Sequence, residues 1–267
     1  GFSSPNESTN NKINFVVLKP YKNYFFLRYF IELSYKGTNY HGWQIQPNAI
    51  SVQEQITKAI NTITQETIQL VGAGRTDAGV HALQMFAHFD VEKKLTNNDV
   101  HKFNSILPND IVIKSLKMEL DTSHARFDAV SRSYEYRILL VRNPFYLETT
   151  WQLYQKKIEI DIMNKAAEIL FEYEDFESFS KVKTDVKTFN CTITKATWVL
   201  QGDHLTFHIT ANRFLRNMVR AIVGTLIEVG MGKISLADFR KIIESKNRSE
   251  AGLSVPARGL FLTEVCY

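Results

Sequence analysis

The segment Gly72-Ala73-Gly74-Arg75-Thr76-Asp77-Ala78-Gly79-Val80-His81 gathers more polar chemistry than any other stretch of the chain. Its three glycines let the backbone turn tightly and come close to a ligand. Gly72-x-Gly74 opens like a dinucleotide fingerprint, but Asp77 stands where the third glycine belongs, and its charge would face phosphate. A phosphate loop fails as well, because no Gly-Lys-Ser/Thr follows. The remaining reading makes Asp77 a working carboxylate. Arg75 is two residues away and lies on the same side if the backbone is extended. A guanidinium there would orient the carboxylate and stabilise its charge. A carboxylate held in this way serves as nucleophile or general base. An Arg–Asp pair that merely caps a surface turn is the plain alternative.

Two further groups could meet an anion. Arg213, Arg216 and Arg220 fall in one sector if residues 214–229 are helical, at about 100° per residue, and no acid lies between Asp203 and Glu228. Three unpaired arginines repel one another unless something anionic meets them, and nucleic-acid phosphates fit that need. One of them could instead reach inward to a buried carboxylate, or the face could simply be solvated. Arg126, Arg132, Tyr134 and Arg137 surround a predicted strand. Tyr134 is either a core residue or a ring on which a nucleobase stacks. Lys181, Lys183 and Lys187 add a basic patch opposed by Asp185, and Trp43 is an aromatic in a predicted loop. No H-E-x-x-H, C-x-x-C or G-x-S-x-G pattern occurs, which sets aside zinc deaminase and serine hydrolase chemistry.

These groups need elements to position them. Alternation predicts strands at 28–35, at 68–70 running toward Gly74, at 85–91, 111–117, 134–140 and 260–265, and a hairpin over 192–200 and 205–211. Ser51 and Glu54 form an S-x-x-E start for a helix through Ile63. Helices are also predicted near 98–105, over 161–172, over 214–229 and after Ser235. The class is α+β, with antiparallel strand pairs in two halves joined near residues 120–130. The expected organisation is an extension over 1–24, an α+β half over 25–122 that carries the Asp77 loop, and a second over 123–267.

The 267 residues, 44% hydrophobic and 22% charged, describe an ordinary globular chain. The charge of +4 permits an RNA partner without demanding one. No apolar run approaches the ~18–20 residues needed to cross a bilayer, and Phe15–Leu18 is too short for a signal-peptide core. Two cysteines point to a reducing, cytoplasmic setting.

Gly74-Arg75-Thr76-Asp77-Ala78-Gly79-Val80-His81-Ala82 strongly resembles the TruA family of tRNA pseudouridine synthases. Matches follow in the family's order: Tyr40-His41-Gly42-Trp43-Gln44 with Ser51-Val52-Gln53-Glu54, then His124-Ala125-Arg126-Phe127 and Tyr134-Glu135-Tyr136. Asp175 to Phe179, Asn212-x-Phe214-Leu215-x-x-Met218-Val219-Arg220 and Gly259-Leu260-Phe261-Leu262 complete the series. The residues before about 25 have no counterpart in compact members, and Ala221 stands where many carry a polar residue.

The resemblance implies isomerisation of uridine to pseudouridine at positions 38 to 40 of the tRNA anticodon arm, with no metal, nucleotide or redox cofactor. It implies two RRM/ferredoxin-like halves that form one extended, mostly antiparallel sheet flanked by helices, a cleft between them, and a homodimer. Asp77 becomes the essential carboxylate, able to attack C1′, to attack C6 or to remove the 2′ proton. Arg75 and Arg220 support its charge. Tyr134 stacks on the everted uracil and assists loss of the C5 proton. Arg126, Arg213, Arg216 and Lys181 join Tyr134 as substrate-binding residues. A non-catalytic tRNA binder and a synthase acting at another RNA position are the competing readings.

Overall fold

The computed structural model describes residues 25–154 and 157–267. The extension expected over 1–24 lies outside the described residues. In Leu27–Tyr35 (β1) the alternating Tyr29, Ile31, Leu33 and Tyr35 are buried. They pack under the Val52–Thr64 helix (α1), where Val52, Ile56, Ala59 and Ile60 form one buried stripe. Ser51 caps that helix, accepting from the Glu54 amide at 3.3 Å. The strand expected to start at Ile68 and run on into 71–74 does not form over 68–70. Side chains of α1 take its backbone groups: the Ile68 amide donates to Asn61 Oδ1, and the Leu70 carbonyl accepts from Gln53 Nε2. Only Val71–Gly72 (β2) pairs, against His81–Val91 (β3).

The chain continues through Asn97–Ile106 (α2), Ile111–Glu119 (β4), Ser131–Leu139 (β5) and the short Trp151–Gln152 (β6). Ile160–Ile169 (α3), Ile193–Gln201 (β7), His204–Ala211 (β8), Met218–Gly230 (α4), Leu236–Glu244 (α5) and Leu260–Cys266 (β9) follow. Among the described residues the strands make one nine-stranded sheet in the order β4-β1-β3-β9-β5-β8-β7, with β2 beside β3 and β6 beside β5. Apart from the short β6 and the additional helix α5 in the second, each half follows the same path of strand, helix, two strands, helix and strand, and in each the last strand lies beside the first. The long pairings within each half are antiparallel. The halves join where β9 runs parallel to β3, with Phe261 opposite His81 and Leu262 opposite Ala82. The outer edge of β3 is therefore shared, with β2 at Ala87 and His88 and β9 at His81 and Ala82. One apolar core lies under α1 and α2 and the other under α3, α4 and α5, and Tyr134 packs against both.

The helix expected from Phe214 begins at Met218 instead. Asn217 sits in the left-handed region with φ 67°, which a right-handed helix cannot continue through. Arg213 and Arg216 thus lie on the approach to α4, and only Arg220 is on the helix. The helix expected over 161–172 ends at Ile169 and runs on as a tight 3₁₀ turn over Leu170–Glu172. Among the described residues no helix is long and apolar enough to cross a membrane.

The 123–129 segment lies against the side of β3 that carries His88, and it is fixed there by that residue. His88 is 4% exposed, and its Nδ1 accepts from the Ala125 amide at 3.0 Å. Burial, with the nearby Arg28 and His124 charges, lowers its pKa to about 4. An unfolded imidazole titrates near 6.5. As pH falls, the unfolded chain takes up this proton first, so the stability that His88 contributes is complete above about 6.5 and drains away toward 4. The melting temperature should fall across that window, and less steeply in His88→Gln. An equal slope in both proteins would show that this imidazole is not responsible.

Candidate active site

Residues 73–80 leave β2 at the seam and return as β3, and the backbone fixes this loop before any side chain acts. The Ala73 amide donates to the Phe86 carbonyl at 2.8 Å, and the Val80 amide closes a turn onto the Asp77 carbonyl at 3.1 Å. Behind the loop runs the 40–43 segment. The Trp43 amide donates to the Thr76 carbonyl and the Gly79 amide to the Tyr40 carbonyl, each at 3.2 Å. The two backbones come so close that a Cβ on Gly42, which has φ 86°, would sit 2.3 Å from the Thr76 carbonyl oxygen. Trp43 is 1% exposed, wedged under Gly72 and beside Tyr35. It supports the loop and does not face a ligand. Tyr35 hydrogen-bonds Thr76 Oγ1 through its hydroxyl at 2.8 Å. His81 pins the far end of the loop: its Nδ1 accepts from the Gly37 amide at 2.9 Å, and its Nε2 donates toward the Glu148 and Arg258 carbonyls. Burial lowers the His81 pKa, which matches this neutral, doubly bonded ring.

The Asp77 carboxylate, 26% exposed, faces two guanidinium groups from the second half. Arg220 Nη1 lies 3.5 Å from Oδ2 and Arg216 Nε 3.7 Å from Oδ1. Arg220 is fixed in turn, since its Nε donates to the Val255 carbonyl at 2.7 Å and the Val255 amide donates back to the Arg220 carbonyl at 3.2 Å. That strap lies tight on α4. A Cβ on Gly224 would fall 1.8 Å from the Leu253 carbonyl oxygen, which leaves room only for glycine.

Tyr134 stands on β5, in edge-to-face contact with Phe214 at 5.1 Å between ring centroids. Burial raises its pKa to about 12; Arg132 opposes the shift and the Asp77 charge adds to it. At neutral pH it is therefore a protonated phenol.

The structure corrects several expectations. Arg75 is exposed and makes no ion pair with Asp77; both facing guanidinium groups come from across the seam. An extended backbone was the premise for the Arg75 pairing, and the loop turns instead. Arg216 was expected to point outward toward phosphate. It leans toward Asp77 while staying 61% exposed, so it borders both carboxylate and solvent. Arg213 braces the neighbouring loop, donating from Nη1 to the Thr188 and Asn190 carbonyls at 3.1 and 3.3 Å. Lys181 is exposed and adjacent to the site, because its amide donates to the Arg216 carbonyl at 3.0 Å. Arg126 is exposed beside the Phe127 ring. Among the described residues no group of three or more His, Cys, Asp or Glu is placed to hold a metal ion.

Arg132 is the residue that sequence reasoning left without a role. Its Nη1 donates to the Ala129 and Asn212 carbonyls, and its Nη2 to those of Ala73 and Arg126, all within 2.8–3.1 Å. One guanidinium thereby ties the start of the Asp77 loop to the 126–129 segment and to the approach to α4. Its pKa is lowered by burial. The signal was its place two residues before Tyr134, on the same side of a strand.

A sequence profile for the family described as tRNA pseudouridine synthase matches residues 166–267. A protein of Parabacteroides distasonis named tRNA pseudouridine synthase A is 49% identical over 242 residues, covering 90% of this chain and 96% of that one. One of the same name from Bacteroides fragilis is 51% identical over 243 residues, with 90% and 96% covered. Another, from Thermoanaerobacter pseudethanolicus, is 41% identical over 245 residues, with 89% and 98% covered.

Arg132→Ala should destabilise the fold by about 2 kcal/mol, the scale of losing charged hydrogen bonds, as read by urea unfolding. A loss below about 0.5 kcal/mol, the level of an ordinary surface substitution, would mean the clamp holds nothing that matters.

Proposed function

The chain belongs to the TruA family of tRNA pseudouridine synthases, isomerases of uridine in tRNA, and on that premise we propose that it acts at positions 38, 39 and 40 of the anticodon arm with Asp77 as the essential carboxylate. The observation that carries this reading is a carboxylate at the seam of the sheet, faced by Arg216 and Arg220. The reaction conserves every atom. The N1–C1′ bond breaks, the uracil turns, C5 bonds to C1′, and the C5 proton leaves as N1 regains one. Attack by Asp77 at C1′, attack at C6, and removal of the 2′ proton all start from this side chain.

A uridine paired in a stem must first leave the helix, at a cost of a few kcal/mol. Stacking on an aromatic ring returns about 1–3 kcal/mol, and Tyr134 is the ring at hand. Arg126, Arg213, Arg216 and Lys181 meet the phosphates in this reading, and Arg75, exposed on the loop, approaches the RNA rather than the carboxylate. Residues 25–122 and 123–267 are the two halves around the cleft, and a homodimer in the cytoplasm is the working form. Both cysteines, Cys191 and Cys266, are free thiols, which suits a reducing compartment. A protein that only bound tRNA would gain nothing from an acid among arginines, because the carboxylate repels the phosphates that the arginines attract.

The test is tritium release from C5-labelled uridine in defined tRNA transcripts, one candidate uridine at a time. Asp77→Asn should lower release by at least about a thousandfold, the scale for loss of a reacting group, while tRNA affinity stays within a few fold. Appreciable turnover by that variant would remove Asp77 from the chemistry. Tyr134→Phe should bind tRNA normally and turn over roughly ten to a hundred times more slowly, the low end of general acid–base effects. Wild-type rates would limit the hydroxyl to a structural part.

A further inference from the structure

A cavity of about 460 Å³ lies beside the site, between the 177–184 and 246–249 segments. Lys181, Lys183, Lys246 and Arg248 line it, with Glu177 as the lining carboxylate. Lys246 is already matched, its Nζ 2.9 Å from Asp175 Oδ2. The other three cations form no ion pair among the described residues. Arg248 is the most constrained of them. Its Nη1 donates to the Gly252 carbonyl at 3.0 Å and its Nη2 to Ser254 Oγ at 2.9 Å, and Ser254 also accepts from Asn217 Nδ2. Those partners are all neutral. Burial lowers the Arg248 pKa, and no carboxylate opposes the shift. A half-buried guanidinium without a counter-charge is costly, and an arriving anion relieves that cost.

Two other observations point to the same place. Lys183, which lines the cavity, has φ of 60°, in the left-handed region where side-chain residues are strained, and such strain collects at binding and functional sites. The cavity is also joined to the reaction centre: the Lys181 amide donates to the Arg216 carbonyl, and Arg216 faces Asp77. Its volume accommodates a sugar-phosphate unit.

We propose that this cavity receives one phosphate of the tRNA backbone close to the nucleotide being isomerised, with Arg248 as the fixed guanidinium and Lys181 and Lys183 closing over the anion. The inference rests on the functional reading above and adds a binding subsite to it. A diester phosphate brings one negative charge to three unmatched cations, and the flexible lysines accommodate its approach.

Arg248 also ties down the 252–254 backbone, so the test is placed on the two lysines. Lys181→Gln with Lys183→Gln should raise the tRNA Kd about tenfold at physiological salt. The slope of log Kd against log salt should fall by about 0.7–0.9, the value of one phosphate contact. Lys181→Arg with Lys183→Arg should restore both. Wild-type Kd and slope in the glutamine variant, at an unchanged melting temperature, would overturn the proposal. A second arm uses inorganic phosphate at ionic strength matched with chloride. If phosphate stabilises the wild type but not the glutamine variant, while that variant keeps the wild-type tRNA Kd, the cavity takes free phosphate and the assignment to RNA fails. These are binding measurements, whereas tritium release reads the isomerisation, so either reading can fail without the other.

Discussion

A single strand must satisfy two half-sheets at once. β9 pairs antiparallel with β5 and parallel with β3, and without it the two cores would share no continuous backbone ladder. This constraint decides where the candidate site sits. Because β9 occupies the edge of β3 at His81 and Ala82, β2 pairs only at the other end of that edge. The chain between β2 and β3 is left as a loop at the junction, and Asp77 is on it. The residues that answer Asp77 come from the segments leading back to the same strand: α4 with Arg220, and the Val255 strap that runs into β9. Seam, loop and facing guanidinium groups are one solution to one pairing problem.

Charge at the site is organised by division of labour. Backbone hydrogen bonds and buried side chains such as Trp43, Tyr35 and His81 hold the loop without using the carboxylate. Asp77 is therefore positioned without drawing on its own carboxylate. The arginines differ in the same way. Arg132 and Arg220 spend donors on carbonyls and fix geometry, while Arg216 remains largely exposed between the carboxylate and solvent. Preorganised charge of this kind needs little rearrangement as a reaction proceeds.

Much of this was legible in the sequence because it is local. The Ser51–Glu54 start and the spacing of Val52, Ile56 and Ile60 define α1 without outside help. Alternation in β1 and the turn at Gly202-Asp203 define their elements equally well. Asp77 stood out because an acid in a glycine-rich segment excludes the common phosphate readings. What could not be read is non-local. Nothing in Leu260–Cys266 says that it will lie between β3 and β5. The apolar Ile68–Leu70 stretch resembles a strand until Asn61 and Gln53 of α1 claim its backbone. The periodic run from Phe214 resembles helix until the left-handed Asn217 interrupts it. Arg75 is two residues from Asp77 along the chain, yet the facing partners are more than a hundred residues away, because the loop turns the carboxylate toward the other half.

The place of β9 in the sequence has a consequence for biosynthesis. It follows every other strand among the described residues, so it is made after them. While translation continues, the first half can collapse around α1 and α2, since domains fold as units as they emerge. That nascent protein carries the acid but neither of the guanidinium groups that face it, nor the strand that brings the halves together. The pairing of Asp77 with Arg216 and Arg220 therefore waits until the second half has been made and docked through β9.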